Sequence, residues 1–251
     1  MATKKSKSHV VLLHGMGGSK ADWDAAGALL GKSFAVTALD LPGCGGAPKP
    51  ASGYDPASLA RYVSSILTDE GIDTAAVIGH SLGARVAGEL AKHEPARVKR
   101  LVLVSPLGAI AYSFTDRLKW KGMSRASILR SVPESSIRNA SAYGFAVDGP
   151  GRKGFVERAV KTRQDPGTGL AVEKSVDGLL QAPPLVEVLR GTTLPLLIVA
   201  GALDPLAPPD ESEALKKARP DARFVKLAGL GHYPMLEDPK RFVDAVKAFL
   251  A

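Results

Sequence analysis

Long apolar runs alternate with helix-like stretches along most of this chain, and that rhythm limits the folds open to it more than any other feature. "HVVLL" (His9 to Leu13) precedes "WDAAGALL" (Trp23 to Leu30), and "FAVTAL" (Phe34 to Leu39) precedes a Gly/Pro-rich loop and a helical stretch near Ala57 to Thr68. "AAVIG" then runs into "LGARVAGELAKH", and "VKRLVLVSP" (Val98 to Pro106) is nearly continuous in Val and Leu. After a long interval the pattern resumes with "LPLLIVAG" (Leu194 to Gly201), a helix near Asp210 to Ala218, "ARFVKLAG" (Ala222 to Gly229) and a closing helix from about Pro239 to Leu250. Strands covered on both faces read as such unbroken runs, and strands separated by helices pair in parallel through right-handed crossovers. The expected architecture is α/β: a doubly wound, mostly parallel sheet of about six strands.

Between residues 107 and 190 the strand rhythm stops. The segment carries helix-like patches ("FTDRLKWKGM", Arg125 to Val132, "GFVERAVKTR") broken by Pro and Gly, and a structureless loop of that length does not fit a compact domain. It is expected to be a helical cap inserted into a core formed by residues 1–106 and 191–251. Much of the net charge of +8 lies there: residues 107–190 hold 13 Lys and Arg against 8 Asp and Glu, and Lys4, Lys5 and Lys7 add to it at the N-terminus. Such an excess is either solvated surface or a landing site for an acidic partner. Nucleic acid is not expected, because aromatic residues make up only 6% of the chain and no binding motif occurs. The apolar run after the basic N-terminus is too short for a signal peptide or a membrane span, and the single cysteine, Cys44, permits no internal disulfide. These features lead us to expect a soluble, cytoplasmic protein, with its oligomeric state left open.

The chemistry concentrates at Gly79-His80-Ser81-Leu82-Gly83, a G-x-S-x-G run with a strand before it and a helix after it. A sharp strand-to-helix turn lifts the serine hydroxyl above the strand end, and glycine at both flanks avoids the clash a side chain would make. A serine hydroxyl at its ordinary pKa is a weak nucleophile, so a base and an orienting acid are needed. Of the five histidines, His9 begins a strand, His80 lies inside the turn, His93 sits late in a helix, and His14 in "HGMGG" is expected to brace its loop. His232, in "LAGLGHYPMLEDP", follows the last strand in a Gly-flanked loop and is the candidate base. Asp204 in "LLIVAGALDPLAP" is the candidate acid; Asp210 is an alternative that more naturally opens the next helix. Ser81, Asp204 and His232 then occur in that order, each at the carboxyl end of its own strand. The Gly-rich turn "LLHGMGGSKADW" brings the backbone N–H of Met16 toward that of Leu82, a pair suited to an oxyanion. No phosphate-loop or dinucleotide fingerprint and no metal-ligand spacing is present, so neither a cofactor nor a metal is expected.

Taken together, "VVLLHGMGG", "ALDLPGCGG", "VIGHSLGA", "LIVAGALDPLAP" and "LGHYPMLEDPKRF" resemble the α/β-hydrolase fold superfamily. The resemblance runs from about residue 9 to the end, except for the insertion, which corresponds in position to the family's variable cap. It implies Ser81 as nucleophile, His232 as base, Asp204 as orienting acid, and Met16 and Leu82 as the oxyanion hole. Two departures stand out. Only eight residues precede the "HG" strand, so the family's N-terminal antiparallel hairpin would be missing; and Cys44 stands where many relatives carry a polar residue, a loop position near the cleft with no catalytic role.

The implied reaction is acyl transfer through a covalent intermediate, with hydrolysis of small esters as the first reading. Leu107, Ile110, Phe114, Trp120, Phe145 and Leu180 are the apolar residues that could line an acyl pocket under the cap. The shared motifs also resemble those of pimeloyl-carrier-protein methyl ester esterases, and Arg125, Arg130, Arg138, Arg152 and Arg158 would give such a cap a face for an acidic carrier protein. Carbon–carbon bond hydrolysis, lactone opening and perhydrolysis occur on the same fold. A ligand receptor is the non-enzymatic alternative, against which the complete Ser, His and Asp set argues.

Overall fold

The computed structural model describes residues 7–162 and 165–251, with the side chains of residues 123 and 128–130 also outside the description. Lys4, Lys5 and the Arg130 side chain, part of the basic excess noted above, therefore lie outside it. Six strands form one parallel sheet: β1 (His9–Leu13), β2 (Ala35–Leu39), β3 (Ala75–His80), β4 (Val98–Val104), β5 (Leu196–Gly201) and β6 (Arg223–Leu227), in the order β2-β1-β3-β4-β5-β6. Helices α1 (Asp24–Leu30), α2 (Pro56–Asp69) and α3 (Leu82–His93) connect the first four strands. Six more lie between β4 and β5: α4 (Phe114–Ser124), α5 (Ala126–Ser131), α6 (Glu134–Ala142), α7 (Pro150–Thr162), α8 (Pro166–Gln181) and α9 (Leu185–Val188). The chain closes with α10 (Pro209–Ala218), α11 (Pro234–Glu237) and α12 (Pro239–Leu250).

The central strands earn their places by the two-residue period of a strand. Val11, Leu13 and Val77 face one layer, with α2, α3 and α9; Val10, Leu12 and Ile78 face the other, with Trp23 of the turn before α1 and Phe242 and Val246 of α12. All six residues of β3 and of β5 are buried, whereas the edge strands β2 and β6 are only partly covered. Fully burying a Val, Leu or Ile side chain is worth roughly 1.5–3 kcal/mol, so the two layers supply the driving force for the sheet. The chain leaves β1 in one direction to form β2 and returns to the other side to form β3. That reversal opens a crevice at the carboxyl ends of β1 and β3, where a ligand site in such sheets is expected.

The inserted helices α4–α9 agree with the expected helical insertion. Three of them match the patches visible in sequence, while α6, α8 and α9 were not anticipated. Among the described residues, no helix is long and apolar enough to cross a membrane.

Candidate functional site

Strand β3 delivers the chain straight to Ser81, whose φ of 56° and ψ of −116° lie where non-glycine residues rarely go. Such a conformation costs on the order of 1–3 kcal/mol and persists only where neighbours enforce it. Here the Ser81 N–H donates to the Val104 carbonyl at 2.9 Å, extending the β3–β4 pairing, and the Ser81 carbonyl accepts from Ala84 in the first turn of α3. The glycines at either side are sterically obligatory. A Cβ on Gly79 would lie 2.2 Å from the Gly83 carbonyl oxygen, and a Cβ on Gly83 would lie 2.5 Å from the carbonyls of Leu13 and His14.

Asp204 follows β5 and His232 follows β6, and the fold brings both to Ser81. His232 Nε2 lies 3.0 Å from Ser81 Oγ, and its Nδ1 lies 2.8 Å from Asp204 Oδ2. The other carboxylate oxygen of Asp204 accepts the N–H groups of Leu206 and Ala207, each at 2.8 Å, which fixes the plane of the acid. All three side chains are buried. Asp210, the alternative acid, sits in the first turn of α10 instead.

Two flanking histidines brace this arrangement. His14 Nε2 accepts the Leu41 N–H at 3.0 Å, which leaves Nδ1–H to donate to the Gly15 carbonyl at 2.7 Å, so the ring pins the "HGMGG" loop as expected of it. His80 donates Nε2–H to the His232 carbonyl at 2.8 Å, and its ring meets that of His232 edge-on. Burial pushes both rings below the ordinary imidazole range, His80 well below, so both act as neutral props. The role of His80 has no local sequence signal, because its partner is 152 residues away.

The loop carrying Met16 runs directly over the serine: a Cβ on Gly15 would lie 3.0 Å from Ser81 Cβ. Met16 and Leu82 line one narrow crevice together with Cys44, and neither backbone N–H has an acceptor among the described residues. Burial pushes the Cys44 thiol up to about 12, which leaves it protonated and inert. The same loop is tied to the insertion through Asp22, whose carboxylate accepts the Ser19 N–H at 3.1 Å and Arg158 Nη2 of α7 at 2.7 Å.

Between α4, α6, α7 and α8 lies a cavity of about 280 Å³ that reaches Met16 and Tyr233, the neighbour of His232. Trp120, Ile137, Phe155, Val172 and Val176 line it, and among the described residues no charged side chain does. Of the pocket residues expected from sequence, only Trp120 is among them. Leu107 packs against Leu179 and Ala207 beside the cavity, Leu180 is core, and Phe145 stacks on Tyr233 from behind. Ile110, in the loop before α4, is 46% exposed, and Phe114 is 76% exposed because the inward stripe of α4 passes through Trp120 and Ser124.

Behind Asp204 sits a second carboxyl, Glu211, which accepts the Ala109 N–H at 2.9 Å. Burial, reinforced by the Asp204 charge, raises it from the ordinary 4.5 to about 7. Its folded pKa is above its unfolded one, so the folded state holds the extra proton between about 4.5 and about 7, and stability falls as pH rises through that window. Glu211→Gln keeps the acceptor for Ala109 and removes the ionisation. The variant is expected to gain about 1–3 kcal/mol on wild type between pH 5 and pH 8, read from urea midpoints at the two pH values. An identical gap at both would show that Glu211 ionises normally.

Comparison with known proteins agrees with this architecture. A pimeloyl-[acyl-carrier protein] methyl ester esterase from Aeromonas hydrophila is 28% identical over 248 residues, covering 96% of this chain and 94% of the relative. An uncharacterized protein of Mycobacterium tuberculosis H37Rv is 28% identical over 254 residues, 96% of this chain and 74% of that one. Among solved structures, an esterase from Exiguobacterium antarcticum superposes with a TM-score of 0.86 at 18% identity, covering 98% of this chain and 92% of its own. The enol-lactonase of Burkholderia xenovorans LB400 gives 0.83 at 23% identity, with the same coverage of both chains. These structural matches speak to the fold. A sequence profile described as "Alpha/beta hydrolase family" matches residues 10–245, nearly the whole chain, and the chain belongs to that family.

Proposed function

We propose that this chain is a serine hydrolase that cleaves carboxylic esters of small or medium acyl chains through an acyl-enzyme. The observation that carries the reading is the unbroken hydrogen-bond path from Asp204 through both nitrogens of His232 to the Ser81 hydroxyl, on a backbone strained to present it. In the proposed cycle His232 Nε2 takes the Ser81 proton as Oγ attacks the ester carbonyl carbon. The oxyanion is held by the N–H groups of Met16 and Leu82, each such donor being worth about 10²–10³ in rate. Collapse expels the alcohol, which leaves with the proton from His232; water then attacks the acyl-enzyme by the same route and frees Ser81. Asp204 keeps the imidazole in the tautomer with Nε2 free to accept. Residues 107–190 act as the cap, and the mostly apolar cavity beneath it takes the acyl chain.

The test is a series of p-nitrophenyl esters from acetyl to dodecanoyl. Each buried methylene contributes about 0.8 kcal/mol, so kcat/KM is expected to rise about fourfold per carbon until the cavity is filled, then level or fall. A flat profile would remove the cavity as the acyl site, and no turnover at any length would remove the esterase reading.

A second reading, the methyl ester of an acyl carrier protein, is favoured by the relative from Aeromonas hydrophila. The expected basic face is narrower than the composition suggests. Arg138 pairs with Glu134 and Glu157, Arg152 faces Asp148, and Arg158 faces Asp22. Arg117, Lys119, Lys121 and Arg125, on or beside α4, are exposed and would be where an acidic carrier docks. For that substrate kcat/KM should fall steeply with salt, whereas a neutral ester should be insensitive.

A further inference from the structure

The Glu237 carboxylate gathers four backbone N–H groups from two segments far apart in sequence. Gly231 donates to both oxygens at 3.0 Å and Tyr233 to Oε1 at 3.2 Å; these residues flank His232. Ala146 and Val147, of the inserted segment, donate to Oε2 at 3.0 Å each. A further bond crosses the same seam, from the His232 N–H to the Gly144 carbonyl at 2.7 Å. Backbone meets backbone so closely here that a Cβ on Gly231 would lie 2.4 Å from the Gly144 oxygen and 2.8 Å from the Ala146 nitrogen.

We infer that Glu237 is a positioning residue for His232, and that it does this by locking the histidine loop to residues 144–147 of the insertion. The inference rests on the reading of His232 as the base. A short loop flanked by Gly229 and Gly231 has little stiffness of its own, and its N–H groups point to one place. A carboxylate accepts from all four donors without repulsion, and bonds to a charged acceptor are stronger than neutral ones. No other side chain of this length offers four acceptor sites. The inserted segment is thereby part of the catalytic scaffold at residues 144–147, and any opening of the cap is confined to its other elements.

Glu237→Gln is the direct test. An amide offers one oxygen, and its NH₂ would face backbone donors in place of the other. Val243→Ala, which hollows the buried face of α12 and removes none of the seam's hydrogen bonds, serves as the control for lost stability alone. At a temperature where both variants are folded, Glu237→Gln is expected to lower kcat about 10–100-fold with KM changed less than about threefold, since small misplacements of a catalytic group cost rate rather than binding. Val243→Ala should keep wild-type kcat. Glu237→Asp, which keeps the charge and shortens the reach, should fall between, and it remains informative if the glutamine variant does not fold.

A readout independent of turnover is the far-downfield proton NMR signal of the His232 Nδ1–H bonded to Asp204. It should be lost or broadened in Glu237→Gln and retained in Val243→Ala. Wild-type protein that hydrolyses no ester would sink the proposed function, and the NMR comparison would still decide the positioning role. Glu237→Gln with a lowered melting temperature but the control's kcat and NMR signal would overturn the inference.

Discussion

Ser81→Ala is expected to lower kcat/KM on the best p-nitrophenyl ester by roughly 10⁴-fold or more, because the remaining groups retain only binding and oxyanion stabilisation. No other hydroxyl stands within hydrogen-bond reach of His232 Nε2 among the described residues, so nothing stands in for the proposed nucleophile. The effect on folding should be small and legible. Alanine keeps the Cβ and therefore the strain of a φ of 56°, and it strips a buried partner from His232, for a cost of about 1–2 kcal/mol. Ser81→Gly removes the nucleophile equally but relieves the backbone, and it should melt above Ser81→Ala by about 1 kcal/mol of stability. Both variants should be inert to a fluorophosphonate that labels the wild type. More than about a hundredth of wild-type turnover in either one would assign the attack to another group.

The parts of this molecule that were legible in sequence are those fixed by local sterics or by burial on both faces. β1, β3, β4 and β5 announce themselves because strands covered by two helical layers need runs of apolar residues, as in Val10–Leu13, Ala75–Ile78, Leu101–Val104 and Leu196–Ala200. The turn at Ser81 is visible because only glycine fits at residues 79 and 83. The proposed roles of Asp204 and His232 follow from their places after the carboxyl ends of β5 and β6, on the same edge of the parallel sheet as Ser81 after β3.

What was hidden depends on contacts across long stretches of chain. The sixteen-residue α8 is masked by glycines at 167, 169 and 178; the last is there because a Cβ would lie 2.6 Å from the Asp55 Cα. Its one local signal is Asp165-Pro166, where the aspartate accepts the N–H groups of Gly167 and Thr168 as an N-cap. The cavity lining was missed because the rotation of α4 about its axis is set by what it packs on, and composition cannot say that Trp120 faces in while Phe114 faces out. Glu237 reads in sequence as one acid of "EDP" before a helix. Its neighbour Asp238 takes the capping role, accepting the Arg241 N–H at 2.9 Å, which frees Glu237 for donors as far off as residue 146.

Asp204→Asn is the second large effect, and its cause is the direction of one hydrogen bond. In the wild type Oδ1 accepts from Leu206 and Ala207, and Oδ2 accepts from His232 Nδ1–H. An asparagine in the same place must leave its carbonyl oxygen toward the two fixed backbone donors, because its NH₂ there would face two N–H groups. The NH₂ then points at His232 Nδ1, which can only accept from it. The imidazole proton moves to Nε2, where it faces Ser81 Oγ as a donor and no longer takes the serine proton. Shape and packing are unchanged, yet kcat is expected to fall by about 10⁴ at neutral pH, the scale of a wrong tautomer. The loss should ease as pH rises, because hydroxide can deprotonate the serine without the histidine. Asp204→Ala, which imposes no tautomer, should be no worse than the isosteric asparagine despite removing more atoms. An asparagine variant within about tenfold of wild type would show that Asp204 does not orient the base.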